Sequence, residues 1–272
     1  MAPMKRRTFL VAAAGGLLLS RSTRAAPSLP SAPPVSARAQ VMVSGGLITT
    51  EAGFLPAIQA AHRSFYPAGQ PVLMVLNASL PDERDAAEKR LVDFFARNGF
   101  AAESLHHYSG AGARRRLGAA AAVFVGGGET FLLLRELQDS GLLGLLRERV
   151  LAGLPYHGTS AGANLAGPVI GCTNDFPVVD LSSRTALGVF PAVMNPHHPP
   201  VHDPEYAARA AKIQRYRRIN AADTVLGLTN ASVAILQRRQ VRLTSGAGFL
   251  YGPTTRALPL GPIAELSSPV AL

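Results

Sequence analysis

Residues 156–166 read YHGTSAGANLA, and this stretch decides how the rest of the chain is read. Gly158, Ser160 and Gly162 stand at G-x-S-x-G spacing. That spacing suits a serine held on a sharp strand-to-helix turn, with its hydroxyl projecting clear of the sheet. The glycines remove side chains that would collide with the turned backbone. Upstream lies the apolar run AAAAVFVGGG, 154–157 can form a short strand, and AGANLAG can open a helix. A helix starting there points its first N–H groups at charge developing beside the serine. Read without this context, the pattern leaves two readings open, a nucleophile or only a tight turn.

Working toward the N-terminus, apolar runs alternate with amphipathic segments. VMVSGG begins a strand, 53–65 a helix, and PVLMVLN a strand covered on both faces. A helix starts near Ser79 and Pro81, with Ala87, Leu91, Phe94 and Phe95 on one face and Gly99 as its stop. AAESLHHY reads as a strand, AAAAVFVGGG as another, and 130–137 as a helix. This alternation predicts an α/β fold: a doubly wound, mostly parallel sheet flanked by helices. In such sheets ligands bind beyond the C-terminal strand ends, where 126–128 and Ser160 both fall. Toward the C-terminus, 185–193 reads as a strand and NPHHPPVHDP as irregular structure. A basic helix then covers 204–219, followed by short strands near 224–228, 232–236, 240–243 and 248–251.

Composition narrows the function. A chain of 272 residues, 47% hydrophobic, can bury a sizeable core. The formal charge is +10, but six cations and no acid precede Gln40, which leaves +4 for the remainder and gives no reason to invoke nucleic acid. Residues 1–39 read as a signal peptide of twin-arginine type with a linker. Arg6 and Arg7 precede the short apolar run TFLVAAAGGLLL, and Ala37-Arg38-Ala39 matches a small-x-small cleavage site. Residues 40–272 then form one α/β domain outside the cytoplasm, meeting a membrane only during export. Cys172 is the only cysteine, so no internal disulfide forms. A buried apolar role is expected for it. His197, His198, His202 and Asp203 are spaced as a loose cluster, but Pro199 and Pro200 break any helix that would align them. No metal or organic cofactor is called for.

FVGGGETF, YHGTSAGANLAGP, TNDFPVVD and FPAVMNPH, in this order, resemble the peptidase E (aspartyl dipeptidase) family. These are serine peptidases related to cyanophycinases and share the class I glutamine amidotransferase-like fold. The resemblance covers 123–252 and implies the following roles. Ser160 falls on the nucleophile, His197 on the catalytic histidine and Asp175 on an acid implicated in activity. Gly127, Gly128 and Ala161 fall on the oxyanion hole, and Asn174 and Arg209 are assigned to substrate binding. Arg184 is a further candidate for a substrate carboxylate.

Two positions depart from the family pattern. Glu129 follows the triglycine where the family has asparagine. Asn230 stands where the family has the acid that orients the histidine, with Asp175 or Asp223 as substitutes. The resemblance implies an exopeptidase acting on a small peptide, a dipeptide with N-terminal aspartate. The alternative is a catalytically weak or inactive periplasmic binding or regulatory protein on the same fold. An esterase of α/β-hydrolase type is disfavoured, because no histidine follows His202.

Overall fold

In the computed structural model, which describes residues 36–267, the alternation of hydrophobic and amphipathic segments becomes a layered α/β structure. In chain order the elements begin with β1 (Gln40–Ser44), β2 (Thr49–Thr50), β3 (Gly53–Phe54), α1 (Pro56–Phe65), β4 (Val72–Val75), α2 (Arg84–Arg97), β5 (Ala102–Ser104) and α3 (Gly110–Gly118). Next come β6 (Ala122–Val125), α4 (Thr130–Asp139), α5 (Leu142–Leu151), β7 (Tyr156–Thr159), α6 (Ala161–Ala166), β8 (Val193–Asn195) and α7 (Tyr206–Ile219). The last are β9 (Val225–Leu228), β10 (Val233–Gln237), β11 (Gln240–Ser245), β12 (Gly248–Tyr251), β13 (Thr255–Leu258) and β14 (Gly261–Pro262). The expected signal segment lies outside the described residues as far as residue 35. Among the described residues, no helix is long and apolar enough to cross a membrane.

The main sheet has eight strands in the order β14-β11-β10-β1-β7-β6-β4-β5. From β1 through β7, β6 and β4 to β5 every pairing is parallel, while β10, β11 and β14 add an antiparallel edge. The parallel strands are apolar on both faces because both faces are covered. Val41, Val43, Leu73, Val75, Val123 and Val125 pack with Leu117, Leu133, Leu146 and Ala163 from α3 to α6. Met42, Val72, Met74, Ala122 and Phe124 face the other way, onto Ile58 and Phe65 of α1 and Phe95 of α2. A second sheet, β13-β12-β9-β8, packs with α7 around Val193, Ile213, Val225, Phe249 and Tyr251.

Three of the expected elements differ. The helix expected over 53–65 starts at Pro56, because Gly53 has φ +132° and pairs with Thr50 in a two-residue ribbon. AAESLHHY is a strand only over Ala102–Ser104, then turns into the 3-10 helix Leu105–His107. The strand expected over 185–193 is mostly irregular. Gly188 has φ +58°, and the N–H groups of Leu187, Gly188, Val189 and Phe190 bond to carbonyls of residues 165–167. The segment therefore satisfies the carbonyls left open at the end of α6 rather than joining a sheet. The helices α3 and α5 carried no expectation. Cys172 is buried and free, and burial pushes its thiol up to about 12.

A buried polar chain sits beneath the carboxyl end of β7. His62 Nε2 lies 3.0 Å from His157 Nδ1, and His157 Nε2 lies 2.9 Å from Ser44 Oγ. Desolvation lowers His62 to about 3 and His157 well below 6.5, so both are neutral when folded. Unfolding returns each to its ordinary value near 6.5. The unfolded chain therefore binds more protons below that pH. The stability contribution is complete above about pH 6.5 and is lost as pH falls toward the depressed folded values. The loss is up to about 1.4 kcal/mol per pH unit for each histidine. Urea midpoints at pH 7, 6 and 5 should fall in that order; equal midpoints contradict this account.

Candidate active site

Ser160 stands between β7 and α6 with φ +52° and ψ −110°. This backbone region is costly for a non-glycine residue, on the order of 1–3 kcal/mol, and persists only where the surroundings enforce it. Here they do. Ser160 N–H donates to the Ser44 carbonyl at 3.2 Å, and Tyr156 Oη donates to the Gly162 carbonyl at 2.6 Å, tying strand to helix. A β-carbon at Gly158 would overlap the Gly162 carbonyl, and one at Gly162 would overlap the Val125 carbonyl. Both glycines are therefore required by close backbone approach. The turn leaves the Ser160 side chain partly exposed.

His197 arrives from the second sheet, in the loop after β8. Its N–H donates to the Gly45 carbonyl at 2.7 Å, fastening that loop to the end of β1. Its Nε2 lies 2.8 Å from Ser160 Oγ. Its Nδ1 lies 2.7 Å from Asn230 Oδ1, which comes from the turn where the chain crosses from β9 in the small sheet to β10 in the large one. In the tautomer with the proton on Nδ1, Asn230 accepts that proton's bond and Ser160 donates to Nε2. A hydroxyl so placed can lose its proton as it attacks.

Asp175, a candidate for orienting His197, is elsewhere. Its Oδ2 accepts the Thr130 N–H at 3.0 Å and so caps α4. A carboxylate there complements the helix dipole. Glu129, at the N-cap position, makes no capping bond of its own. Asp223, the other substitute, accepts from Tyr216 Oη. Asn174, expected to bind substrate, holds the histidine loop. Its Nδ2 donates to the Pro196 carbonyl at 3.0 Å, and its Oδ1 accepts from Asn195 Nδ2 at 3.1 Å.

Arg209 is half-buried, and desolvation lowers its affinity for the proton. It donates to Asn195 Oδ1 and to the His197 carbonyl, both at 3.3 Å, and has no ion pair among the described residues. Arg184 is exposed, its guanidinium 6.0 Å from the centre of the Phe131 ring.

Gly127 passes so close to Ser160 that a β-carbon on it would lie 3.0 Å from Ser160 Cβ. Gly128 has φ +134°, and a β-carbon there would overlap the Ala78 carbonyl. Neither N–H donates to another group among the described residues, and Ala161 opens α6, where N–H groups lack intrahelical acceptors. His198 belongs to the core of the second sheet, 2.7 Å from Tyr251 Oη, and burial lowers it to about 4. Its two ring nitrogens face the Pro199 carbonyl and Tyr251 Oη, and the ligand-type atoms of His197, His198, His202 and Asp203 do not form a converging group among the described residues.

Beside His197 opens a cleft of about 420 Å³ lined by His198, Pro199, Pro200, Asp203, Glu205, Thr229 and Asn230. A larger cavity, about 760 Å³, lies at the other end of β1 around Arg38, Gln40 and Arg238. It contains neither Ser160 nor His197.

Sequence reasoning missed Asp203 and Glu205 as cleft residues. It also missed Gly46, which has φ +116° and whose β-carbon would overlap the His197 ring. The SGG run after β1 was the available signal. Gly46→Ala should push the imidazole off Ser160 and lower kcat/KM about 100-fold or more, as misplacement by an ångström can. Thermal unfolding, checked alongside, should show the variant still folded.

The chain is 36% identical over 148 residues to peptidase E of Shewanella amazonensis, covering 53% of this chain and 63% of the relative. It is 39% identical over 137 residues to peptidase E of Salmonella arizonae, covering 49% and 56%. The matched part thus spans less than two thirds of these relatives. A solved peptidase from an acI-B1 actinobacterium superposes with TM-score 0.62 at 16% identity, covering 83% of this chain and 96% of that one, a likeness of fold. Residues 41–244 match the family model described as peptidase family S51, and the chain belongs to that family.

Proposed function

We propose that this protein is a serine peptidase that cleaves short peptides, dipeptides with N-terminal aspartate first among them. The observation that carries the reading is Ser160 Oγ at 2.8 Å from His197 Nε2 on a strained strand-to-helix turn. Ser160 attacks the peptide carbonyl while His197 takes its proton. The N–H groups of Ala161 and of Gly127 or Gly128 receive the oxyanion. His197 then protonates the leaving amine, and water, activated by the same imidazole, releases the acyl group.

Arg209 supports an acidic substrate, being half-desolvated and without an ion pair among the described residues. Asp203 and Glu205 along the cleft suit a free α-amino group. Export with cleavage after Ala39 belongs to the same reading; N-terminal sequencing of periplasmic protein tests it, and a chain still starting at Met1 opposes it.

The decisive experiment is a dipeptide panel on the purified mature chain with Ser160→Ala beside it. Hydrolysis confined to aspartyl dipeptides and absent in the variant is expected. A wild type that hydrolyses nothing and takes no fluorophosphonate label overturns the reading in favour of a binding protein.

A further inference from the structure

At the carboxyl end of β5, the edge strand, four side chains from two elements converge. Asp85 and Glu88 lie one turn apart on α2, and His106 and His107 follow β5 in the 3-10 helix Leu105–His107. One ligand atom from each lies within 4.8 Å of every other. His106 Nε2 is 2.9 Å from Asp85 Oδ1 and 3.9 Å from Glu88 Oε2, and His107 Nε2 is 2.5 Å from Glu88 Oε2. Among the described residues neither carboxylate pairs with a lysine or arginine. β5 is three strands from β7, so at about 4.8 Å per strand the cluster stands roughly 15 Å from Ser160 across the sheet.

We propose that these four residues bind a zinc ion. Zinc takes imidazole nitrogen and carboxylate oxygen at about 2.0–2.2 Å in a tetrahedron. The edges of that tetrahedron are about 3.3 Å, inside the range of the separations here. Magnesium and calcium prefer all-oxygen sets, so the two imidazoles select against them.

An outer shell is built as well. Buried Ser104 places its Oγ 2.5 Å from His106 Nδ1 and donates its N–H to Glu88 Oε1 at 2.9 Å. A serine oxygen that accepts the Nδ1 proton leaves the Nε2 lone pair free for metal, and the backbone bond leaves Glu88 Oε2 free. The His106 and Glu88 side chains are 10% and 17% exposed, and those of His107 and Asp85 are 52% and 88% exposed. Two ligands are thus held in place and two close over the ion from the solvent side. The ion would fasten α2 to the sheet's open edge.

The test uses the mature chain without a polyhistidine tag, and zinc chloride as the probe. Equilibrium dialysis should give one zinc per chain. At a hundredfold excess over Kd, Tm should rise by about 5–10 °C. His106→Ala and Glu88→Ala should each weaken binding at least tenfold, and Ser104→Ala about 10- to 100-fold. His107→Ala, on an exposed side chain, serves where a buried substitution prevents folding, with the same tenfold loss expected. A wild type that retains no zinc and shows no Tm shift overturns the proposal. So does a His106→Ala/His107→Ala variant that binds zinc as tightly as wild type, because the ion then sits elsewhere.

Discussion

Ser160→Ala and His197→Ala each lower kcat by about 10⁴-fold or more on the best dipeptide of the panel, and the double variant is hardly slower than either. The 2.8 Å contact makes the two side chains one proton-transfer unit, and units of this kind lose their function when either half is removed. Residual hydrolysis in all three variants should be similar, because the backbone donors around Gly127, Gly128 and Ala161 remain. Two losses that multiply in the double variant would mean that the residues act separately. Neither substitution touches the buried core, so thermal unfolding should change little.

Asn230→Asp raises kcat about 10- to 100-fold and moves the acid limb of the pH–rate profile to higher pH. Asn230 Oδ1 lies 2.7 Å from His197 Nδ1. An amide carries donors as well as an acceptor, so turning it over presents an N–H to Nδ1 and favours the tautomer whose Nε2 proton faces Ser160, which cannot accept the serine proton. A carboxylate only accepts. It fixes the productive tautomer, stabilises the imidazolium formed during attack, and raises the pH at which the histidine becomes protonated. Asn230→Ala removes the acceptor and should lower kcat about tenfold. Asp175→Asn should reduce stability rather than the pH dependence, since Asp175 caps α4 from 3.0 Å and a cap is worth about 1 kcal/mol. The opposite pattern, Asn230→Ala silent and Asp175→Asn severe in turnover, would return the orienting role to Asp175. Kinetics across pH 5–9, with urea unfolding of each variant, separates the outcomes.

Much of the fold was written in local pattern. Continuous apolar runs such as VLMV and AVFV announce strands covered on both faces. The four strands near 225–251 stand where their β-branched and apolar runs place them. The G-x-S-x-G turn was equally legible, because glycine is demanded there by backbone that passes within contact of Val125 and Gly162.

Where local pattern misled, a distant partner took the hydrogen bonds. The apolar residues of 185–193 are buried as a strand's would be, but their N–H groups go to the carbonyls at the end of α6. Asp175 was taken as catalytic on the strength of its motif; its Oδ2 accepts the Thr130 N–H at the start of a helix 45 residues earlier. His197 and Asn230 are 33 residues apart, and their approach depends on the chain crossing between two sheets. By itself the sequence determined the layered sheet, the elbow and the identity of its serine, since these follow from side-chain size and backbone freedom within a few residues. Only the tertiary structure decided that an uncharged amide faces the histidine, that Gly46 makes room for its ring, and that two carboxylates and two imidazoles meet at the far sheet edge. Each is a contact between segments whose separation along the chain carries no periodic signal, and whose geometry is set by how the two sheets and their helices pack.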